Sequence, residues 1–171
     1  MNLMGKNEKL QYVINNLDGF EDSERLKIFQ DAYYMADLGF SNVDINKIKE
    51  IFKGYIPPLP KELQDKEIIT VYRGGTEYGL FYKRAMSWTL DFNVAEFFAN
   101  RDPREAKMRH VAKAEIPKKY ILDYNNDRQE QEILLIPDKL ENISHVDFKV
   151  WEWTKEEKNA ALTTLYVQNQ F

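Results

Sequence analysis

The sequence lacks several residues that common kinds of functional site require. It contains no cysteine, which excludes disulfides, thiolate catalysis and cysteine-ligated zinc. Its two histidines, His110 and His145, form neither an HxxxH nor an HExxH pair, so we expect no metal site. No apolar run is long enough to span a bilayer, and residues 1–7 contain no stretch of signal-peptide length. We therefore expect a cytoplasmic protein without a membrane partner.

The chain is also short of positive charge. Its 24 basic residues are outnumbered by 28 acidic ones, which gives a net charge of -4. Nucleic-acid binders usually carry a basic field, so nucleic acid is not an expected partner. The length of 171 residues and the aromatic content of 13% are enough for one domain with a packed core, with or without a helical extension.

The first third of the chain has the apolar spacing of three helices. One helix ends at Asp18-Gly19, a second begins with Ser23 as a cap and ends by Gly39, and a third starts at Ser41 or Asp44. The apolar positions of these helices are Leu10, Val13, Ile14, Leu17, Leu26, Phe29, Ala32, Tyr33, Ala36, Ile45, Ile48, Ile51 and Phe52. The stiff segment Pro57-Pro58-Leu59-Pro60 follows. It divides a helical N-terminal region, 1–56, from a second domain, 61–171. We expect the helical region to pack on this second domain or to extend it.

The second part is predicted to be mostly β-structure. Asp91 is a plausible N-cap for a helix with Val94, Ala95, Phe97 and Phe98 inward, and Thr154 can cap a last helix. Gly74, Gly75 and Gly79 indicate a turn after the first strand. The predicted strands are 68–72, 85–90, 109–116, 120–122, 130–136 and 146–153. Helices followed by strands make an α+β fold.

The first candidate functional segment is Tyr72-Arg73-Gly74. A guanidinium at a strand end can bind a phosphate in a bidentate manner, and the adjacent glycines let the backbone approach a ligand closely. A surface ion pair beside a hairpin turn would explain the same residues.

The second segment is Ser87-Trp88-Thr89. Side chains alternate along a strand, so Ser87 and Thr89 share one face and Trp88 points to the other. The two hydroxyls can bind a ligand or orient a carboxylate; capping of the following helix is the alternative.

The third segment is Glu130-Gln131-Glu132. On a strand, Glu130 and Glu132 would share a face, and two adjacent carboxylates favour divided acid and base roles or stabilisation of a charge. Two solvated glutamates at a strand end would explain the same pattern.

In this order, the three segments resemble the R-S-E class of mono-ADP-ribosyltransferases, which includes bacterial toxins and many phage-encoded enzymes. Tyr72-Arg73-Gly74 is similar to the first motif of the class and Glu130-x-Glu132 to its third. Ser87-Trp88-Thr89, followed by a helix with Val94, Ala95, Phe98 and Ala99, is similar to its second. The resemblance spans about residues 66–153 and implies an ADP-ribosyltransferase-like split β-sandwich.

The resemblance also implies a donor site. NAD would be the co-substrate, with no metal. Arg73 would bind its phosphates and nicotinamide ribose, and Gly74 would hold the nicotinamide amide through its backbone. Ser87 would orient Glu132, which would be the catalytic carboxylate. Thr89 is a further candidate contact with NAD. Phe98 is a candidate stacking surface, although its helical spacing also fits a core residue.

For the acceptor side, the resemblance implies that Glu130 orients or deprotonates a protein arginine. Residues 124–129, beginning with Tyr124, would recognise the target protein, and residues 100–109 would cover the cofactor. The host would be a bacterium or a phage-infected cell, with a toxin or phage effector role. Two alternatives stay open: an NAD glycohydrolase that depletes NAD, and a non-catalytic interaction module on the same fold.

Overall fold

The computed structural model describes residues 4–36, 44–76, 85–101, 109–136, 144–146 and 154–168. The chain divides into two compact units, Met1–Tyr55 and Ile56–Gln170. The division falls immediately before the proline-rich segment 57–60.

The first unit is helical, as its apolar spacing predicts. Its helices are α1 (Lys6–Asn15), a 3-10 helix (Leu17–Gly19), α2 (Asp22–Met35) and α3 (Ile45–Ile51). The apolar residues buried in this unit are Leu10, Val13, Ile14, Leu17, Phe29, Ala32, Ile48 and Phe52. The helical periodicity therefore identified the buried positions, but the other five predicted positions are only partly buried: Leu26, Tyr33, Ala36, Ile45 and Ile51.

The helix starts in this unit follow local chemistry. The Asp44 carboxylate accepts a hydrogen bond of 2.9 Å from the Asn46 amide, which confirms Asp44 as the N-cap of α3. The prediction that Ser23 caps α2 is wrong, because the helix already begins at Asp22. Asp22 suits the positive end of the helix and forms a 2.7 Å ion pair with Arg25. The predicted helix end at Gly39 lies outside the described residues.

In its described ranges, the second unit contains the strands, three α-helices and one 3-10 helix. Its strands are β1 (Ile68–Thr76), β2 (Ser87–Thr89), β3 (Arg109–Pro117), β4 (Ile121–Asn125), β5 (Glu132–Leu135) and β6 (Ser144–Val146). Its helices are α4 (Lys61–Gln64), α5 (Phe92–Asn100), a 3-10 helix (Lys118–Tyr120) and α6 (Lys155–Gln168). None of the helices in the described ranges combines the length and apolar character needed to cross a bilayer.

The strands form one sheet in the order β4-β5-β2-β1-β3-β6. Each neighbouring pair is antiparallel, so the α+β class is confirmed. The two central pairings differ in extent. β1 pairs with β3 along its whole length, from Ile68 with Pro117 to Thr76 with Arg109. β1 and β2 share the single residue pair Tyr72 with Thr89.

Each face of the sheet buries its own apolar cluster. On one face, Val71 and Trp88 belong to a cluster with Leu59, just before α4, and Leu63, within α4. On the other face, α5 packs through Ala95 and Ala99 against Val111 and Tyr72. Trp88 is only 2% exposed, as alternation along β2 predicts.

Gly74 lies inside β1, so the predicted turn at Gly74 and Gly75 is wrong. A Cβ atom at Gly74 would lie 1.8 Å from the carbonyl oxygen of Ala95 and 2.6 Å from the amide nitrogen of Ala99. The glycine is therefore required by the close approach of α5 to β1. Gly79 lies outside the described residues.

Candidate active site

Ser87 and Glu132 form the centre of the candidate site. The sheet register places Tyr72, Thr89 and Glu132 in a row across β1, β2 and β5, so their side chains share the face covered by α5. Ser87 lies diagonally from Glu132, and its hydroxyl donates a 2.5 Å hydrogen bond to Glu132 Oε1. The structure thus contains the contact that the resemblance implies between these residues. Their catalytic roles stay predictions.

Arg73 joins this pair from the neighbouring strand β1. The sequence suggested that Arg73 lies at the end of a strand, and this is wrong. Arg73 lies within β1, opposite Ala112 in the long pairing with β3. Its guanidinium Nη1 donates a hydrogen bond to the main-chain carbonyl oxygen of Ser87. Arg73 is thus linked to the pair through the main chain of Ser87 and is near enough to Glu132 to lower its pKa, although alternation along β1 places Arg73 on the face of Val71. Between the described residues of β1 and β2, the single pair is Tyr72 with Thr89.

The carboxyl group of Glu132 is partly buried, and this burial raises its pKa above the ordinary value of 4.5. The hydrogen bond from Ser87 opposes that change because it favours the charged form. The charge of Glu130 raises the pKa further, while Arg128 and Arg73 lower it. Glu132 is thus a carboxylate of restricted solvation that one hydroxyl holds in place.

Glu130 lies outside the strand, so its predicted place on the same strand face as Glu132 is wrong. β5 begins at Glu132, and Glu130 lies in a bend between two residues with positive φ, Gln129 at 58° and Gln131 at 44°. The side chain of Glu130 is 28% exposed, and its Oε2 lies 3.7 Å from Nε of Arg128. Glu130 is near enough to Glu132 to affect its pKa, but a loop positions it.

An open cleft of about 400 Å³ lies beside Glu130. Its lining consists of Asn93, Val94, Phe97, Phe98, Arg128, Gln129 and Glu130, from α5 and the loop before β5. Phe98 borders this cleft, and the guanidinium of Arg101 lies 5.1 Å from the centre of its ring. Phe97 is 47% exposed, so the prediction that it faces the core is wrong. Ala95 and Ala99 face the sheet instead, because only small residues fit above Gly74.

Two other residues were predicted to contact a ligand, Tyr124 and Thr89, and the structure places only Thr89 on the face of Glu132. Tyr124 pairs with Ile133 in the sheet and packs against the apolar cluster on the Trp88 face, opposite the face of Glu132. Burial and the nearby charge of Glu62 raise its pKa. Thr89 is 6% exposed and makes its hydrogen bonds to main-chain atoms. Direct contacts of either residue with a ligand stay predictions.

Arg128 and Asn126 lie in the predicted recognition segment 124–129, but the sequence patterns gave neither residue a role of its own. Arg128 faces Glu130 and lowers the pKa of Glu132, and Asn126 Oδ1 accepts a 3.0 Å hydrogen bond from the Gln131 amide. Arg128 could have been predicted from the sequence, because it lies two residues before Glu130 in a short loop. Of the predicted covering segment 100–109, residues 102–108 lie outside the described residues. The described ranges contain no group of three or more possible metal-ligating side chains.

Comparison of the chain with protein-family models, with curated proteins and with solved structures found no match in any of the three. The resemblance to ADP-ribosyltransferases therefore depends on the three sequence segments alone.

Proposed function

We propose that the protein is an NAD-dependent mono-ADP-ribosyltransferase that modifies a protein arginine. The observation that carries this proposal is the hydrogen bond from Ser87 to Glu132 beside the guanidinium of Arg73. A cation, a hydroxyl and a partly buried carboxylate suit a ligand that contains phosphates and a reactive sugar. Their order along the chain is that of the R-S-E class.

The proposed reaction breaks one bond and forms another at the nicotinamide ribose. The bond between the nicotinamide ring nitrogen and the ribose C1 carbon breaks, and its electron pair leaves with nicotinamide, which becomes neutral. Positive charge develops on the sugar, and the nearby Glu132 carboxylate stabilises it. A guanidine nitrogen of the acceptor then bonds to C1 and releases a proton, which Glu130 accepts.

The remaining residues would bind and orient NAD. Arg73 would bind its phosphates, and Ser87 would keep the Glu132 carboxylate directed at the ribose. Gly74 would contribute its backbone, and Phe98 a stacking surface beside the cleft. A split β-sandwich like that of the ADP-ribosyltransferases is part of the proposal. The single pair between β1 and β2 supports it, because the sheet is joined least at the point where the candidate residues meet.

The test is incubation of the protein with labelled NAD and a cell lysate, followed by mass spectrometry of the modified species. We expect ADP-ribose on an arginine, and Glu132→Ala should abolish both transfer and nicotinamide release. Glu130→Ala should lose transfer but retain some NAD hydrolysis. Glu115→Ala is the matched control, since Glu115 is an exposed carboxylate on β3.

Three outcomes would contradict the proposal in different ways. Transfer by Glu132→Ala at the parent rate would exclude the catalytic role of Glu132. Nicotinamide release that is equally fast without lysate, with no labelled macromolecule, would indicate an NAD glycohydrolase. A melting temperature that NAD does not raise would indicate that the protein does not bind NAD, since a ligand bound to the native state must stabilise it.

A further inference from the structure

The loop between β4 and β5, residues 126–131, has an unusual backbone. Gln129 and Gln131 have φ values of 58° and 44°, in the left-handed region that residues other than glycine seldom adopt. Such residues persist where the surrounding structure holds them, and they are common near functional sites. Glu130 lies between them, so its position depends on whatever holds this loop.

Hydrogen bonds to the segment 89–91 hold the loop. Thr89 Oγ1 donates a 2.6 Å hydrogen bond to the carbonyl oxygen of Glu130. The amide of Leu90 donates a 3.1 Å hydrogen bond to the carbonyl oxygen of Gln131. Within the loop, the Gln131 amide donates to Asn126 Oδ1. The backbone on both sides of Gln131 is thus fixed by partners outside β5.

The Thr89 hydroxyl occupies the centre of this arrangement. Besides donating to Glu130, it accepts a 3.0 Å hydrogen bond from the amide of Asp91. Asp91 is the N-cap of α5, and its carboxylate accepts a 2.8 Å hydrogen bond from the Asn93 amide. One buried hydroxyl therefore connects the backbone of Glu130 to the first turn of α5.

We propose that Thr89 is a positioning residue, which fixes the 126–131 loop against the start of α5 and thereby determines how ADP-ribose is divided between an acceptor and water. The proposal rests on the proposed transferase function. In this proposal Thr89 acts by holding Glu130 in position, and it does not contact NAD directly.

The division of labour between the two carboxylates gives the physical reason. Ser87 on β2 holds Glu132, so cleavage of the bond to nicotinamide does not require a fixed loop. Glu130 is held by the loop, and removal of the acceptor proton requires Glu130 to face the incoming guanidine. If the loop is released, Glu130 no longer faces the guanidine, and ADP-ribose goes to water, because water needs no positioned residue to act as the acceptor. The ratio of transfer to hydrolysis is therefore the quantity that Thr89 should control.

The first experiment measures amide hydrogen exchange in Thr89→Val, which keeps the shape of the side chain and removes the hydroxyl. We expect the Leu90 and Gln131 amides to exchange about tenfold faster, as loss of one net hydrogen bond allows. Asp91 is left out of the comparison because it loses its own acceptor. Thr89→Ser keeps the hydroxyl and should restore the parent rates. Unchanged exchange at Leu90 and Gln131 in Thr89→Val would overturn the structural part of the proposal.

The second experiment measures transfer to arginine methyl ester and release of nicotinamide in the same samples. Thr89→Val should lower the ratio of transfer to hydrolysis by about tenfold, and Thr89→Ser should restore it. Asn126→Ala removes the side-chain hydrogen bond to the Gln131 amide without altering the sheet and should also lower the ratio. It also serves as the second variant if Thr89→Val does not fold. An unchanged ratio in the folded variants would overturn the role in partition.

The two experiments distinguish failure of this inference from failure of the proposed function. If the parent protein does not cleave NAD, the transferase function and the role in partition are both wrong. Amide exchange needs no NAD and would still decide whether Thr89 holds the loop. If the parent transfers ADP-ribose and Thr89→Val keeps the parent ratio, the function holds and the positioning role is wrong.

Discussion

Replacement of Gly74 by alanine should destabilise the second unit markedly, because α5 lies directly over this position. The added Cβ would lie 1.8 Å from the Ala95 carbonyl oxygen, and ordinary contacts begin at 3.4 Å. The helix and the strand would have to separate by about 1.6 Å, the difference between these two distances. Both contacting groups at α5 are backbone atoms, so no side chain can rotate away.

The expected cost follows from overpacking. Insertion of a methyl group into a well-packed site costs about 1–3 kcal/mol, and a clash with backbone belongs at the upper end. Alanine in a strand recovers about 0.5–1 kcal/mol relative to glycine. The net loss of about 2 kcal/mol corresponds to a melting temperature lower by about 6–12 °C for a unit of this size.

Thermal unfolding followed by tryptophan fluorescence is the appropriate assay. The three tryptophans all follow residue 56 in the sequence, so the signal reports on the second unit. Gly19→Ala is the matched control, since no atom lies within 4 Å of the added Cβ, and it should leave the transition unchanged. A Gly74→Ala protein that melts within about 2 °C of the parent would refute the close packing of α5 on β1.

Two further predictions concern the Glu132 carboxyl. Burial raises its folded-state pKa, so its contribution to stability is fully present below pH 4.5 and is lost as the pH rises through the folded-state pKa. Glu132→Gln should therefore raise the melting temperature at neutral pH, with a difference that disappears below pH 4.5; a constant difference at every pH would contradict the burial effect. Ser87→Ala removes a hydrogen bond that lowers this pKa, so the acidic limb of the pH profile for NAD cleavage should move to higher pH. Thr163→Ala, which alters an exposed hydroxyl on α6, is the control, and an acidic limb that stays in place in Ser87→Ala would exclude this coupling.

The sequence predicts local features of this fold well. Asp44, Asp91 and Thr154 cap helices as their chemistry indicates; the Thr154 hydroxyl accepts a hydrogen bond from the Glu157 amide. The pattern of β2 also places Trp88 and Ser87 on opposite faces correctly. Each of these features depends on neighbours within a few residues or on simple alternation.

The wrong predictions share a different cause. Gly74 suggested a turn, but a glycine is required there by the close contact with Ala95, which is 21 positions further along the chain. Glu130 suggested a strand residue, but its backbone bonds to Thr89, and this contact also cannot be derived from local pattern. Phe97 was predicted to be a core residue because its spacing in α5 is that of an apolar face. It is exposed because α5 has apolar residues on more sides than the sheet covers. For Gly74 and Glu130, a contact between distant segments overrides a local preference, and for Phe97 the extent of the covering sheet decides.

The start of β5 at Glu132 has a consequence for how such a protein can diversify. Glu132 is paired within the sheet, whereas Glu130 and Arg128 belong to the preceding loop. The tip of that loop, at Asp127 and Arg128, could change in length or composition while the sheet keeps Glu132 beside Ser87. Under the proposed transferase function, loops exchanged between related chains should thus alter target choice and leave the Ser87–Glu132 pair in place, provided that each graft retains a carbonyl within reach of the Thr89 hydroxyl.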